Sequence, residues 1–422
     1  MTNRQLGAIC VAALALASSA TAQSTVAARR VLPAALERAE ALMASRVQSG
    51  AVGGMLHRVW LDGEIVHDAA AGLASPGGQP FAADTIVRIY SMTKPITTVA
   101  AMRLHEQGQF ELDDPVAKFI PAYASVTVFS PRRDGTFERQ PTARPLTVRD
   151  LMRHTAGYGY VALDQMPLQM EYVREGLFYG GHGNPFDPKG TPRPPRMTIA
   201  DAAERLARVP LRHQPGERFT YGFGTDLLGR LVEIWSEQPL DEHLAQTLFV
   251  PLGMDDTGFR VPPAKRDRIA CCYTHEDGTL TVLEDGPTSP HAEGFAFLSG
   301  GGGLLSTLDD YTKFLAMLAH GGEASGVRYM SEESLDVMTT DQLDGAASDR
   351  GRQFRFGLGF SIRTVRLGRR DRAERCGWSG IASTDFHLVP EANLFQIAIR
   401  QHVPSEHALA WQLFDVVYDG VR

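Results

Sequence analysis

The chain has 422 residues, too many for one ordinary core, so a two-lobed unit or two domains is expected. Hydrophobic residues make up 43% and charged residues 22% of it, the balance of a globular domain rather than of a disordered or fibrous chain. The formal net charge is −7 and no basic run occurs, which argues against nucleic acid or an anionic membrane as partner.

Residues 1–22 read as a secretory signal: Arg4, an apolar run over 9–17, then Ala20-Thr21-Ala22 before Gln23. The run is too short to span a bilayer, so the mature form is expected to carry no membrane span and to be periplasmic or secreted. After cleavage Cys271, Cys272 and Cys376 remain, an odd number that spells out no disulfide framework.

Next come two short apolar-rich runs, 52–60 and 65–71, around Leu61-Asp62-Gly63-Glu64, which predicts a β-hairpin. Helical periodicity follows at 96–107, 147–154, 199–207 and 225–238, the last with a stripe of Leu227, Leu228, Leu231, Val232 and Trp235. Between them the stretch 176–196 is rich in Gly and Pro, with several aromatics and no clear period; it is too long for a plain connection and reads as a lid or binding loop, or as mobile filler. Gly300 to Gly303 are four successive glycines ahead of Leu304-Leu305-Ser306-Thr307. No Lys follows them as in a phosphate loop, and a tight turn entering a helix capped by Ser306 or Thr307 is expected. A second hairpin is predicted from 384–389 and 394–399 around Pro390-Glu391-Ala392-Asn393, then a C-terminal helix opened by Ser405-Glu406-His407. Strands at both ends with helices between them imply an α/β (α+β) fold. A discontinuous α/β lobe, about 30–110 and 280–422, would carry a mostly helical insertion, about 111–279, so that residues 23–422 form one unit.

The chemistry starts at Ser91-Met92-Thr93-Lys94, where a hydroxyl and an amine three residues apart meet on one face of a helical turn. Read alone, such a tetrapeptide is a Ser at a helix start followed by a surface Lys. Basic residue usage says more: there are five Lys against 37 Arg, and no other Lys has a Ser three residues before it. Arg stays charged at any relevant pH, whereas a desolvated Lys can give up its proton, so this is a position where the two do not substitute for each other. No Gly-x-Ser-x-Gly elbow and no His-Glu-x-x-His zinc helix occurs, which removes two other hydrolase designs.

Two later segments, Tyr221-Gly222-Phe223 and Trp378-Ser379-Gly380, complete an ordered set with Ser91 and Lys94. The set resembles the serine β-lactamase and penicillin-recognising superfamily in order as well as type: Ser-x-x-Lys early, Tyr-x-Asn in the middle, Lys-Thr-Gly near the end. Leu151-Met152-Arg153-His154-Thr155-Ala156-Gly157, the Gly300 to Gly303 turn and Phe356-Gly357-Leu358-Gly359-Phe360 are similar to the same family, so the likeness runs over nearly all of the mature chain. The Tyr that begins the middle motif makes it most similar to class C-like members and family eight carboxylesterases.

The resemblance implies a β-lactamase-like fold, with an antiparallel sheet flanked by helices plus a mostly helical inserted lobe, and an acyl-enzyme at Ser91. Tyr221 is assigned by it as general base and Lys94 as its electrostatic partner; chemistry alone leaves open which of the two takes the proton. The backbone N–H groups of Ser91 and Ile381 would form the oxyanion hole. Phe223, Trp378, Ser379 and Gly380 would line the substrate. Phe223 and Trp378 stand where the family has Asn and Lys, and neither can hold a β-lactam amide or carboxylate in the same way. Small neutral esters are therefore expected as substrates, with no metal or organic cofactor. A β-lactamase or D-alanyl-D-alanine peptidase in which Arg352, Arg355 or Arg375 supplies the lost cation is the second enzyme reading, and a silent periplasmic binding or regulatory protein the third. His154 is a weaker candidate base, since it precedes Tyr221 in a helical region.

Overall fold

The computed structural model describes residues 29–160, 167–177, 197–368 and 371–422. Its centre is a seven-stranded sheet in which every neighbouring pair is antiparallel. In chain order the strands are Gly54–Leu61 (β1), Glu64–Gly72 (β2), Arg355–Phe356 (β3), Ser361–Leu367 (β4), Asp371–Gly380 (β5), Thr384–Val389 (β6) and Leu394–Ile399 (β7). Their spatial order is β3-β4-β5-β6-β7-β1-β2, so the two chain ends meet where β1 pairs with β7. Both predicted hairpins are present with turns at Asp62-Gly63 and Pro390–Ala392.

Alternation along β1 sorts the two cores. Met55, Val59 and Leu61 face helices Pro33–Gln48 (α1) and His407–Gly420, whereas Leu56 and Trp60 face the other layer. Strands β1 and β7 are buried along their whole length because helices cover both faces. On the second face lies Leu308–Ala319, whose Tyr311, Phe314 and Leu315 pack toward the sheet, and beyond it Thr93–Glu106 (α2). Nearly every residue of α2 is buried, Lys94 included, so it is a central helix and not an amphipathic one.

The helices between the sheet halves form where caps permit. Thr147 and Thr198 each close a capping box with the Asp three residues on, starting Val148–Met152 (α3) and Ile199–Leu206 (α4). Gly224–Ser236 (α5) carries the predicted stripe inward and ends at Glu237 in the left-handed region. At Leu308 the cap is Thr307, whose side chain accepts from the Asp310 N–H at 3.1 Å. The three cysteines beyond position 28 are buried free thiols. Residues 1–22 lie outside the described residues, as does the stretch 176–196 beyond Leu177.

Candidate active site

Ser91 sits in a single 3₁₀ turn, Tyr90–Met92, that runs directly into α2. The turn is entered through Tyr90 at φ 41°, a left-handed conformation that costs a non-glycine residue roughly 1–2 kcal/mol. Tyr90 is held there by packing against Cys272, Ala382 and Val403. Pro95, the third residue of α2, falls in the first turn, where a missing N–H is tolerated.

Lys94 is 1% exposed and sends its Nζ toward three oxygens: Gly301 O at 2.6 Å, Tyr160 Oη at 3.2 Å and Ser91 Oγ at 3.3 Å. Three acceptors around one Nζ match the three donors of an ammonium. Tyr221 Oη is 2.6 Å from Ser91 Oγ, and Lys94 Nζ lies 4.6 Å from the Tyr221 ring centroid. Ser91, Lys94 and Tyr221 thus form one cluster, although 130 residues separate the two hydroxyls.

Close backbone approach brings the tyrosines together. A Cβ on Gly222 would stand 2.2 Å from the Tyr158 carbonyl oxygen, so only glycine lets the 221–223 segment lie flush on the 158–160 segment. Tyr160 and Tyr221 then meet edge to face at 5.5 Å. Tyr160 donates to Asp226 at 3.3 Å, and Asp226 also accepts from Gly301 N–H at 3.1 Å and from Ser299. Burial raises the Asp226 carboxyl above its ordinary range, against the opposing pull of Lys94; burial and Asp226 hold the Tyr160 phenol well above its ordinary range. Tyr160 therefore stays a neutral phenol that donates to Asp226 and accepts from Lys94. The sequence reading missed both residues. Their only signal is an acid next to an apolar helix stripe and a Tyr shortly after the 151–157 stretch.

The third motif arrives at the end of β5. Gly380 lies so near the nucleophile turn that a Cβ there would be 2.3 Å from the Ile89 carbonyl oxygen. Ile381 follows in a tight turn closed by Ser383 N–H to Gly380 O at 3.0 Å. Trp378 is 8% exposed and packs on Tyr221 at 5.4 Å and Phe356 at 5.2 Å. Ser379 turns its hydroxyl to Asp385 at 2.6 Å, a carboxylate itself paired with buried Arg400 at 3.0 Å.

Phe223 corrects one expectation. Instead of presenting a ring to substrate it is 1% exposed, edge-on to Tyr160 at 4.9 Å and stacked beside Tyr172 at 5.9 Å. The backbone that places Tyr221 beside Ser91 carries the residue two positions on into the core, where Phe223 packs against Tyr160. His154 is buried under Tyr221 among Phe219, Tyr221 and Phe356, with no hydrogen-bond partner on either ring nitrogen among the described residues. Burial, with Lys94 and Arg350 nearby, holds it well below the ordinary His range, so it stays uncharged. Of the arginines considered as substitute cations, Arg355 is paired with Glu374 at 2.7 Å and Arg375 is buried.

The chain is similar over most of its length to known proteins. Residues 39–413 match the family model described as Beta-lactamase. Protein Rv1367c of Mycobacterium tuberculosis is 32% identical over 373 residues, 85% of this chain and 88% of that protein. Esterase EstB of Burkholderia gladioli is 32% identical over 314 residues, 70% of this chain and 71% of EstB. Among solved structures, EstCE1, described as a hydrolase with promiscuous acyltransferase activity, superposes with a TM-score of 0.73 at 23% identity, covering 91% of this chain and 99% of EstCE1.

Proposed function

This chain belongs to the Beta-lactamase family and is a serine hydrolase of that fold, and from that premise we propose an exported carboxylesterase that cleaves small esters through an acyl-enzyme at Ser91. The observation that carries the reading is the 2.6 Å contact between Tyr221 Oη and Ser91 Oγ with Lys94 beside both. EstB is named an esterase, which supports ester over β-lactam. Export is supported by the pattern of residues 1–22.

In this mechanism Tyr221 acts as the phenolate, stabilised by the Lys94 ammonium. The hydrogen bond to Ser91 then runs from the serine hydroxyl to the phenolate, the reverse of its direction when Tyr221 is neutral. Ser91 Oγ attacks the ester carbonyl carbon as its proton passes to Tyr221. The carbonyl oxygen becomes an oxyanion that accepts from the N–H groups of Ser91 and Ile381. Collapse expels the alkoxide, which takes the proton from Tyr221. Water repeats the sequence on the acyl-enzyme, giving the carboxylic acid and free Ser91. An alcohol in place of water would give acyl transfer, the second activity named for EstCE1.

The test is hydrolysis of a short p-nitrophenyl ester beside a chromogenic cephalosporin, with wild type and Ser91→Ala in parallel. Ester turnover that vanishes in the variant, with little cephalosporin cleavage, is the expected result. A folded Ser91→Ala protein that keeps most of its ester turnover would sink the assignment.

A further inference from the structure

Tyr221 and Trp378 are covered on their outer side by an arginine that neither motif contains. The Arg350 guanidinium carbon lies 5.4 Å from the Phe354 ring centroid, 5.5 Å from Phe219, 5.6 Å from Trp378 and 5.8 Å from Tyr221. Its loop is fastened to the strand that leads into Tyr221. Ser348 pairs with Phe219 in a two-residue parallel bridge, Ala347 N–H bonds Glu217 O at 3.0 Å, and Arg350 N–H bonds Ser348 Oγ at 3.1 Å. Arg350 is exposed and has no carboxylate partner among the described residues, while its neighbour Arg355 has one.

We propose that Arg350 is a specificity-determining residue of this site and selects esters that carry a carboxylate. Aromatic faces hold a guanidinium by cation–π attraction and fix its plane, leaving the N–H edge to form the two parallel bonds that carboxylates accept. The Tyr221 ring that touches Arg350 is the one whose hydroxyl bonds Ser91 Oγ, so the cation stands one aromatic ring from the nucleophile. Trp378 occupies the position where the family resemblance has a Lys, and Arg350 returns a positive charge to that wall from a different element. The charge is felt inside the site as well, since Arg350 adds to the effects of burial and Lys94 that keep His154 uncharged. This inference rests on the esterase reading and replaces the neutral ester expected from the sequence by an anionic one.

The experiment compares p-nitrophenyl hexanoate with two anionic esters, mono-p-nitrophenyl adipate and 3-carboxy-4-nitrophenyl hexanoate, which place the carboxylate on the acyl and leaving-group sides. The quantity read is the ratio of kcat/KM for each anionic ester to that for the neutral one, in wild type, Arg350→Gln and Arg350→Lys. At least one ratio exceeds unity in wild type, falls about tenfold or more in Arg350→Gln through KM, and recovers in part in Arg350→Lys. Added salt narrows the ratio in wild type and leaves it unmoved in Arg350→Gln. Equal ratios in wild type and Arg350→Gln overturn the proposal while leaving the esterase reading intact, and so does a loss that falls alike on all three esters. Absence of turnover on every ester overturns both.

Discussion

A methyl group at position 380 would collide with the main chain that carries the nucleophile. In Gly380→Ala the new Cβ would stand 2.3 Å from the Ile89 oxygen and 2.3 Å from Thr384 Oγ1, where contacts under 3.0 Å are essentially not seen, so the gap must open by at least 0.7 Å. Ile89 is two residues before Ser91, and Ile381 directly follows Gly380. The displacement therefore falls between the two N–H groups assigned to the oxyanion. Such donors work within about 2.7–3.1 Å of the oxygen, a window narrower than the shift, and losing one costs about 10²–10³ in kcat. Overpacking of this kind costs about 1–3 kcal/mol of stability. The assay is kcat on a p-nitrophenyl ester at saturation, together with thermal unfolding followed by circular dichroism. We expect a folded protein of slightly lower Tm whose kcat is down about 10²-fold or more. A variant with near-wild-type kcat would refute both the placement of the oxyanion hole and the claim that glycine is required there.

Three further outcomes follow from the same geometry. Tyr221→Phe removes the hydroxyl that touches Ser91 Oγ and should lower kcat about 10²–10⁴-fold with little change in thermal stability. Asp226→Asn should lower kcat through misplacement of Tyr160 and Lys94; because burial raises the Asp226 carboxyl, the acid limb of the wild-type rate profile should lie above the usual carboxylate range and change shape in the variant. Glu284→Gln leaves the buried Arg88 guanidinium without its counter-ion, a loss of about 3–5 kcal/mol in denaturant unfolding at neutral pH. The Glu284 carboxyl is held far below its ordinary 4.5, against burial, by Arg88 and His291. Its stabilisation is thus present above pH 4.5 and fades as pH falls through the lowered value, so wild type and variant should converge in acid.

What could be read in advance depended on whether a residue's role is local. The hairpins at 54–72 and 384–399 follow from alternation and turn residues a few positions apart, and α5 from its own stripe. The spacing of Ser91 and Lys94 sufficed to put them on one turn, and motif order linked Tyr221 to them. Tyr160, Asp226 and Arg350 were illegible because each reaches the cleft through a partner distant in sequence: a flush backbone contact at Gly222, a carboxylate facing the Gly301 turn, a loop bridged to Phe219. Phe223 failed for a related reason, since residue type reports polarity but not which side of a turn the backbone presents.

The chain's two ends build one sheet, and the groups around Ser91 come from α2, from the segment at 221 and from the end of β5. Bringing such remote segments together carries the chain entropy of closing long loops, and rewards it only when the last of them docks. Ester turnover should therefore be the final property regained during refolding, later than helical circular dichroism. Its rate of return would serve as a clock for the global folding event.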